Sequence, residues 1–263
     1  MKNIRFPIKI GSPLFILRDE CNKDLMHVIK RLAEIGYQGI EFLGMFGHEP
    51  ADIRKTLDSC GIVAVGDHVQ FDEFVNNTEQ IISDRKELGC SYITISPPNA
   101  DGLPGGENYH KTIETWKKIG EAVDNAGMTL LYHNHAGELR NMYAGKTHLE
   151  NILDDTDSGF LSAELDLGWI GIAGADPEYY LKKYIDRCPV VHFKDFSPAD
   201  NEEGFIFSPT GYGVLKTKEL YSITAESEKK PDWYIMDHDC AYTRDIYDDM
   251  KLSLEFFKKL ADD

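Results

Sequence analysis

A chain of 263 residues with 42% hydrophobic residues has enough apolar material for a large core and is too apolar to remain disordered. Its 28 Lys and Arg against 45 Asp and Glu leave a formal charge of −17, a field that repels nucleic-acid phosphates and anionic membrane surfaces. Five scattered cysteines (Cys21, Cys60, Cys90, Cys188 and Cys240) form no CxxC pair, so they suggest neither a disulfide framework nor a thiolate zinc site, and they fit a reducing cytoplasm.

The start, MKNIRFPIKIGSPLFIL, is not expected to be a leader: Lys9 interrupts its apolar run and no small-residue cleavage site follows. No stretch approaches the roughly 18 apolar residues of a membrane span. Short β-rich runs then alternate with longer amphipathic ones. The first strand is expected at Ile8–Ile10, followed by a helix at Asp24–Ile35 and a strand at Gly39–Leu43. Next come a helix at Ala51–Cys60, a strand at Val63–His68, a helix at Thr78–Leu88 and a strand at Tyr92–Ser96. Tyr109–Ala126 reads as helix, Thr129–His133 as strand, Thr147–Leu153 as helix, Leu161–Leu165 as strand and Pro177–Tyr184 as helix. The strand at Val190–Phe193 precedes a long irregular stretch, Ser197–Gly213, and a helix at Thr217–Ser227. A strand at Trp233–Met236 and a helix at Ile246–Leu260 complete the chain. Four helices run into a glycine just before the next strand, at Gly36, Gly61, Gly89 and Gly127, the usual left-handed stop.

Eight strand–helix units in a chain of this length predict a single α/β domain over residues 1–263, a (β/α)8 TIM barrel. The competing open sheet lacks its signals, since no GxGxxG follows the first strand and no strand end carries a phosphate-loop lysine motif.

In such a barrel the chemistry sits at the C-terminal strand ends. Here those ends carry Glu41, His68, His133, His135, Glu138, Glu164, Asp166, His192, Lys194, Asp195, Asp237, His238 and Asp239. Residues two apart on a strand share a face, which pairs His133 with His135, Glu164 with Asp166, His192 with Lys194 and Asp237 with Asp239. Gathering several carboxylates in a barrel mouth is costly unless a cation neutralises them, and a divalent metal does so. Carboxylates with one or two imidazoles suit Mn²⁺ best, with Mg²⁺, Co²⁺ or Zn²⁺ as alternatives. The acidic residues Asp248, Asp249, Asp262 and Asp263 are expected on solvated helix surface.

The runs GYQGIEF (36–42), VGDHV (65–69), YHNHAGEL (132–139), LDLGWIGIAGADPEYYLKKY (165–184), RCPVVHFKDF (187–196), SPTGYGVL (208–215) and YIMDHDC (234–240) share a further property. With them the chain resembles the sugar phosphate isomerase/epimerase superfamily, the xylose isomerase-like barrels that also include the family 2 AP endonucleases, in its YHNHxxE branch. The resemblance implies one divalent metal held at the ends of strands five to eight, here by Glu138 or His133 with Asp166, His192 and Asp237, and Glu138 is favoured for its charge. His133 stands where many relatives carry Glu, Asp237 where Glu is usual, and Tyr212 at the centre of a GxG loop that often holds Glu.

The implied activity belongs to carbohydrate metabolism: isomerisation or epimerisation of a sugar, keto-sugar or cyclitol through an enediolate. His133 and His135 would be the acid/base groups and Lys194 would balance the oxyanion. Glu41, His68, Trp169 and His238 would contact substrate. Trp169, Tyr132, Phe42 and Phe207 offer faces for a sugar ring, and no Arg/Lys cluster offers a phosphate seat, which favours an unphosphorylated substrate. The same site would be a dehydratase or lyase on keto-sugars or inososes if the enediolate expelled a β-oxygen. An AP endonuclease-like nuclease and a non-catalytic sugar-binding barrel are the readings of another class. The net charge opposes the nuclease. A small sugar-like molecule is the expected partner, with no nucleic acid and no membrane, and a homo-oligomer is compatible with this reading.

Overall fold

The computed structural model describes residues 8–242 and 244–262. In chain order the strands are β1 (Ile10–Pro13), β2 (Gly39–Phe42), β3 (Val63–Val69), β4 (Tyr92–Ile95), β5 (Thr129–His133), β6 (Met142–Tyr143), β7 (Lys146–Thr147), β8 (Ser162–Asp166), β9 (Val190–Pro198), β10 (Phe205–Ser208) and β11 (Trp233–Asp237). The helices are α1 (Arg18–Ile35), α2 (Pro50–Cys60), α3 (Phe71–Leu88), α4 (Tyr109–Asn125), α5 (Ala136–Arg140), α6 (His148–Asp154), α7 (Leu167–Ile172), α8 (Pro177–Tyr184), α9 (Thr217–Glu226) and α10 (Ile246–Asp262). Eight strands, β1 to β5 with β8, β9 and β11, pair in parallel and close on themselves. Ile10 lies beside Tyr234 at one seam, and Asp166 lies beside His192 at another. This is the expected (β/α)8 barrel. No described helix is long and apolar enough to cross a membrane.

Two expectations shift. The first barrel strand is Ile10–Pro13, not Ile8–Ile10: the chain enters the wall through Gly11 and Ser12, small residues whose side chains the crowded interior admits, and Ser12 is fully buried. Pro13 lacks an N–H and is tolerated because it ends the strand. The irregular stretch after the seventh barrel strand is partly ordered, since β9 continues to Pro198 and pairs with β10 in an antiparallel hairpin that sets Phe207 opposite Phe196.

Alternation along the strands builds a barrel interior in layers. Val65, Tyr92, Leu131, Val190, Trp233 and Ile235 form an apolar floor inside the barrel. Gly39 admits it: a Cβ there would stand 2.5 Å from Val65 and 2.6 Å from the Trp233 ring. One step further along the same strands the inward residues become Glu41, His192 and Asp237, so polar chemistry sits on a dry, rigid base. The outer faces pack Ile40, Ile93, Leu130, Leu165, Val191 and Phe193 into the layer shared with the helices.

Candidate active site at the barrel mouth

The C-terminal strand ends enclose a cavity of about 80 Å³ bounded by Glu41, Phe42, His68, His133, His135, His192, Lys194, Asp237 and Asp239, with Phe15 at its rim. A larger cavity, about 490 Å³, opens at the other end of the barrel beside Tyr92, Thr129, Ser162 and Asp232. Those residues lie at strand starts, and the end of the barrel that carries chemistry is the one where titratable groups converge.

Asp166 is both the last residue of β8 and the N-cap of α7: its Oδ1 accepts the Trp169 N–H at 2.8 Å, which leaves Oδ2 turned to the mouth. Asn134 clamps that strand end to β5, donating to the Asp166 carbonyl at 3.2 Å and accepting the Asp166 N–H at 3.1 Å. On β9, His192 presents Nδ1 to Asp237 Oδ2 at 3.1 Å and Nε2 to Glu41 Oε2 at 3.0 Å. Asp166, His192 and Asp237 offer ligand atoms within 4.8 Å of one another. Asp237 Oδ1 is buried without a hydrogen-bond partner, and Asp166 Oδ2, buried too, faces the Lys194 ammonium. Two buried carboxylates, one with an orphaned oxygen, beside an imidazole nitrogen form a donor set for a divalent ion, so the residues fit a metal.

Lys194 lies among these acids, its Nζ 3.1 Å from Asp166, 3.0 Å from Asp237 and 2.7 Å from Asp239. Burial disfavours its charge, but the three carboxylates outweigh burial and raise its pKa. Asp237 is buried as well, and the Lys194 and His192 cations hold its carboxyl well below the usual range. For Asp166 burial wins, and its carboxyl is raised despite Lys194. The ammonium also sits 5.1 Å over the Trp169 ring and 5.5 Å over Phe207, which form an aromatic wall with Phe205.

Deeper in the barrel, Glu164 accepts from Thr94 through Oε1 at 3.2 Å and turns Oε2 toward His133 and His68. Burial works against a charged His68, but Glu41 and Glu164 outweigh it and raise its pKa to about 10. His133, buried against other imidazoles, is lowered. His135 is lowered to about 4, by burial first and then by Lys194, so it is a neutral base at pH 7, with its ring 4.9 Å from His133 and 5.9 Å from Trp169.

The strand-end residues therefore converge, with three exceptions, Glu138, His238 and Asp195. Glu138, favoured in the sequence as a metal ligand, is used elsewhere: it is the N3 residue of α5, its Oε2 accepts the His135 N–H at 3.1 Å and its Oε1 accepts the Tyr132 hydroxyl at 3.0 Å. His238, expected at the substrate, faces outward between Asp237 and Asp239, with Nε2 3.9 Å from Asp249 of α10. That same Asp249 is buried, not solvated, and Asp263 lies outside the described residues. Sequence reasoning missed Asn134, Thr94 and the role of Asp195. The Asp195 carboxylate accepts the N–H groups of Phe196, Gly211, Gly213 and Leu215 and so pins the Tyr212 loop. An acid placed before a Gly-rich loop is the signal that could have found it.

An eight-stranded parallel barrel with imidazoles and carboxylates gathered at its mouth defines a class, and comparison with known proteins narrows it. A family model for the xylose isomerase-like TIM barrel matches residues 29–260, and the chain belongs to that family. An inosose dehydratase of Bacillus thuringiensis (strain Al Hakam) is 28% identical over 244 residues, covering 80% of each chain. The crystal structure of a sugar phosphate isomerase/epimerase from Parabacteroides distasonis superposes with a TM-score of 0.76 at 20% identity, over 98% of this chain and 96% of that one. The IOLI protein, whose structure holds a zinc atom, gives 0.72 at 14% identity over 97% and 98%. These structural likenesses concern the fold.

Proposed function

We propose that this protein is a metal-dependent isomerase or epimerase that moves a proton at the carbon beside a carbonyl of an unphosphorylated sugar, keto-sugar or cyclitol. The observation that carries the reading is the meeting of Asp166, His192 and Asp237, with Asp237 Oδ1 unpartnered, next to a neutral imidazole at His135 and a buried ammonium at Lys194. Asp166, His192 and Asp237 would hold the metal, three protein ligands that leave positions for adjacent substrate oxygens. A divalent ion there supplies Lewis acidity that lowers the pKa of the carbon acid. Mn²⁺ suits this donor set, and Zn²⁺, Co²⁺ and Mg²⁺ are the competitors.

His135 takes the proton at its unprotonated imidazole nitrogen, since burial keeps the ring neutral at pH 7. Lys194 faces the charge that develops on the oxygen and donates a hydrogen bond to it. The apolar face of the sugar rests on Trp169 and Phe207, and the buried, unpartnered Trp169 Nε1 offers a donor to a hydroxyl. Among the described residues that bound the cavity Lys194 is the single Lys or Arg, which is too little positive charge for a phosphate beside three acids.

A second reading, dehydration of a keto-cyclitol, is favoured by the inosose dehydratase relatives, which share 28% identity over 80% of the chain. It uses the same proton abstraction and then loses a β-hydroxyl as water. Incubation of metal-loaded protein in D2O with free keto-sugars and with an inosose separates the two. Deuterium at the carbon beside the carbonyl in a rearranged sugar supports the first reading, and release of water with an enone product supports the second. No exchange with any of these compounds overturns both. A large preference for the phosphorylated form of the same sugar would overturn the substrate class.

A further inference from the structure

At the base of the mouth, four groups from four strands meet: Glu41 of β2, His68 of β3 and His133 of β5, which bound the cavity, and Glu164 of β8. His68 Nε2 stands 3.0 Å from Glu41 Oε2 and 3.2 Å from Glu164 Oε2, and His133 Nδ1 stands 2.9 Å from that same Glu164 oxygen. His68, His133, Glu164 and His192 all bring ligand atoms within 4.8 Å of one another, so His192 stands in this cluster as well as with Asp166 and Asp237. Metal–ligand bonds of about 2.0–2.2 Å place neighbouring ligand atoms of one shell about 3.0–3.5 Å apart, so these spacings match the edges of a coordination polyhedron. Glu41 is 1% exposed, and its Oε2 lies 3.0 Å from the Nε2 of both His68 and His192. Two buried carboxylates need positive charge beside them, which either protons on the imidazoles or a dication can supply.

We propose that Glu41, His68, His133 and Glu164 form a second divalent-cation site at the base of the mouth. Two imidazole nitrogens and two carboxylate oxygens are a donor set for Zn²⁺ or Mn²⁺. The site adjoins the proposed function and rests on that reading where the two meet: His192 turns Nδ1 to Asp237 and Nε2 to Glu41, at 3.1 and 3.0 Å, and stands 3.7 Å from Glu164, while His133 Nε2 lies 3.8 Å from Asp166. The two ligand sets otherwise share no residue. A carboxylate that ligates the deep ion would accept the His192 N–H and fix that imidazole for the upper metal, as outer-shell carboxylates do. With Nδ1 on the deep ion, His133 is a ligand, and the mouth is left with His135 as its imidazole base.

The test is metal stoichiometry by elemental analysis and anomalous diffraction, after chelation and reloading with Zn²⁺ alone, for the wild type, Glu164→Gln and Asp166→Asn, with His68→Ala as a second deep variant in case Glu164→Gln fails to fold. The expected result is about two ions per chain in the wild type and about one in each variant. The upper ion should persist in Glu164→Gln and the deep one in Asp166→Asn. A single wild-type ion that Asp166→Asn removes and the deep variants retain overturns the second site, the cluster then being held by protons on its imidazoles, and leaves the proposed function standing. A single ion that the deep variants remove and Asp166→Asn retains supports the deep site and overturns the upper one. A metal-free wild type overturns both.

Discussion

Asp166 performs two tasks with two oxygens, and they can be separated. Asn caps a helix about as well as Asp, so Asp166→Asn should keep α7 and the fold while losing the mouth metal. Proton exchange with a turned-over sugar should then fall on the order of 100-fold or more at unchanged circular dichroism. Near-wild-type exchange would place the chemistry elsewhere. Glu138 provides the contrast. Both of its oxygens are engaged by α5 and Tyr132, so Glu138→Ala should cost about 1–3 kcal/mol in denaturant unfolding, through a lost cap and an unpartnered buried hydroxyl. Metal content should be unchanged, and its loss would make Glu138 a ligand after all.

At the scale of elements, the loop after β10 and the short helices behind β5 and β8 carry the site. The Asp195 carboxylate gathers N–H groups from Phe196, Gly211, Gly213 and Leu215, and Phe207, on the hairpin strand before that loop, stands under the Lys194 ammonium. Asp195→Ala should therefore loosen this loop before it unfolds the barrel. Amide hydrogen exchange over 211–215 is expected to accelerate by about tenfold or more, with a smaller change in the barrel strands. Uniform acceleration across the strands would mean that the loop is part of the global folding unit. Phe205 and Phe207, which build the aromatic wall against Trp169 of α7, belong to the same hairpin, so the variant should raise KM for a sugar more than it lowers kcat.

For the whole molecule, metal and pH are the two levers. A ligand bound only by the folded barrel stabilises it by mass action, so chelation should lower Tm and readdition of Mn²⁺ or Zn²⁺ should restore it; an unchanged Tm would contradict the metal. His238 is buried against α10, and burial lowers its pKa from 6.5 to about 4. Its folded form resists a proton that the unfolded chain accepts, so this contribution to stability is intact above about pH 6.5 and is lost as pH falls toward 4. The loss is on the order of 2 kcal/mol, and His238→Gln should flatten the decline of Tm between pH 7 and 5. A decline of the same steepness in the variant would assign the acid sensitivity to other groups.

Strand and helix order was legible along the chain because hydrophobic period and helix-stopping glycines are local properties, and seven of the eight barrel strands lie within a residue or two of where that pattern puts them, apart from the hairpin extension of β9. Residue chemistry at the strand ends was legible for the same reason: alternation shows that His192 and Lys194 share a face, as do Glu164 and Asp166. The first strand was not, because Gly11 and Ser12 carry no hydrophobic signal and enter the wall only where neighbouring strands leave no room for larger side chains. The height of each polar group in the barrel was hidden too. Closing eight strands staggers them, and the stagger sets Glu164 beside His133 and Asp166 beside His192. Glu138, more prominent in the sequence motif than Glu164, is spent on a helix cap, since a carboxylate three residues into a helix finds the cap N–H before it can reach across the mouth. Spacing along the chain names the groups, and only the closed barrel decides which of them meet, because those distances run between strands and depend on shear, capping and the packing beneath.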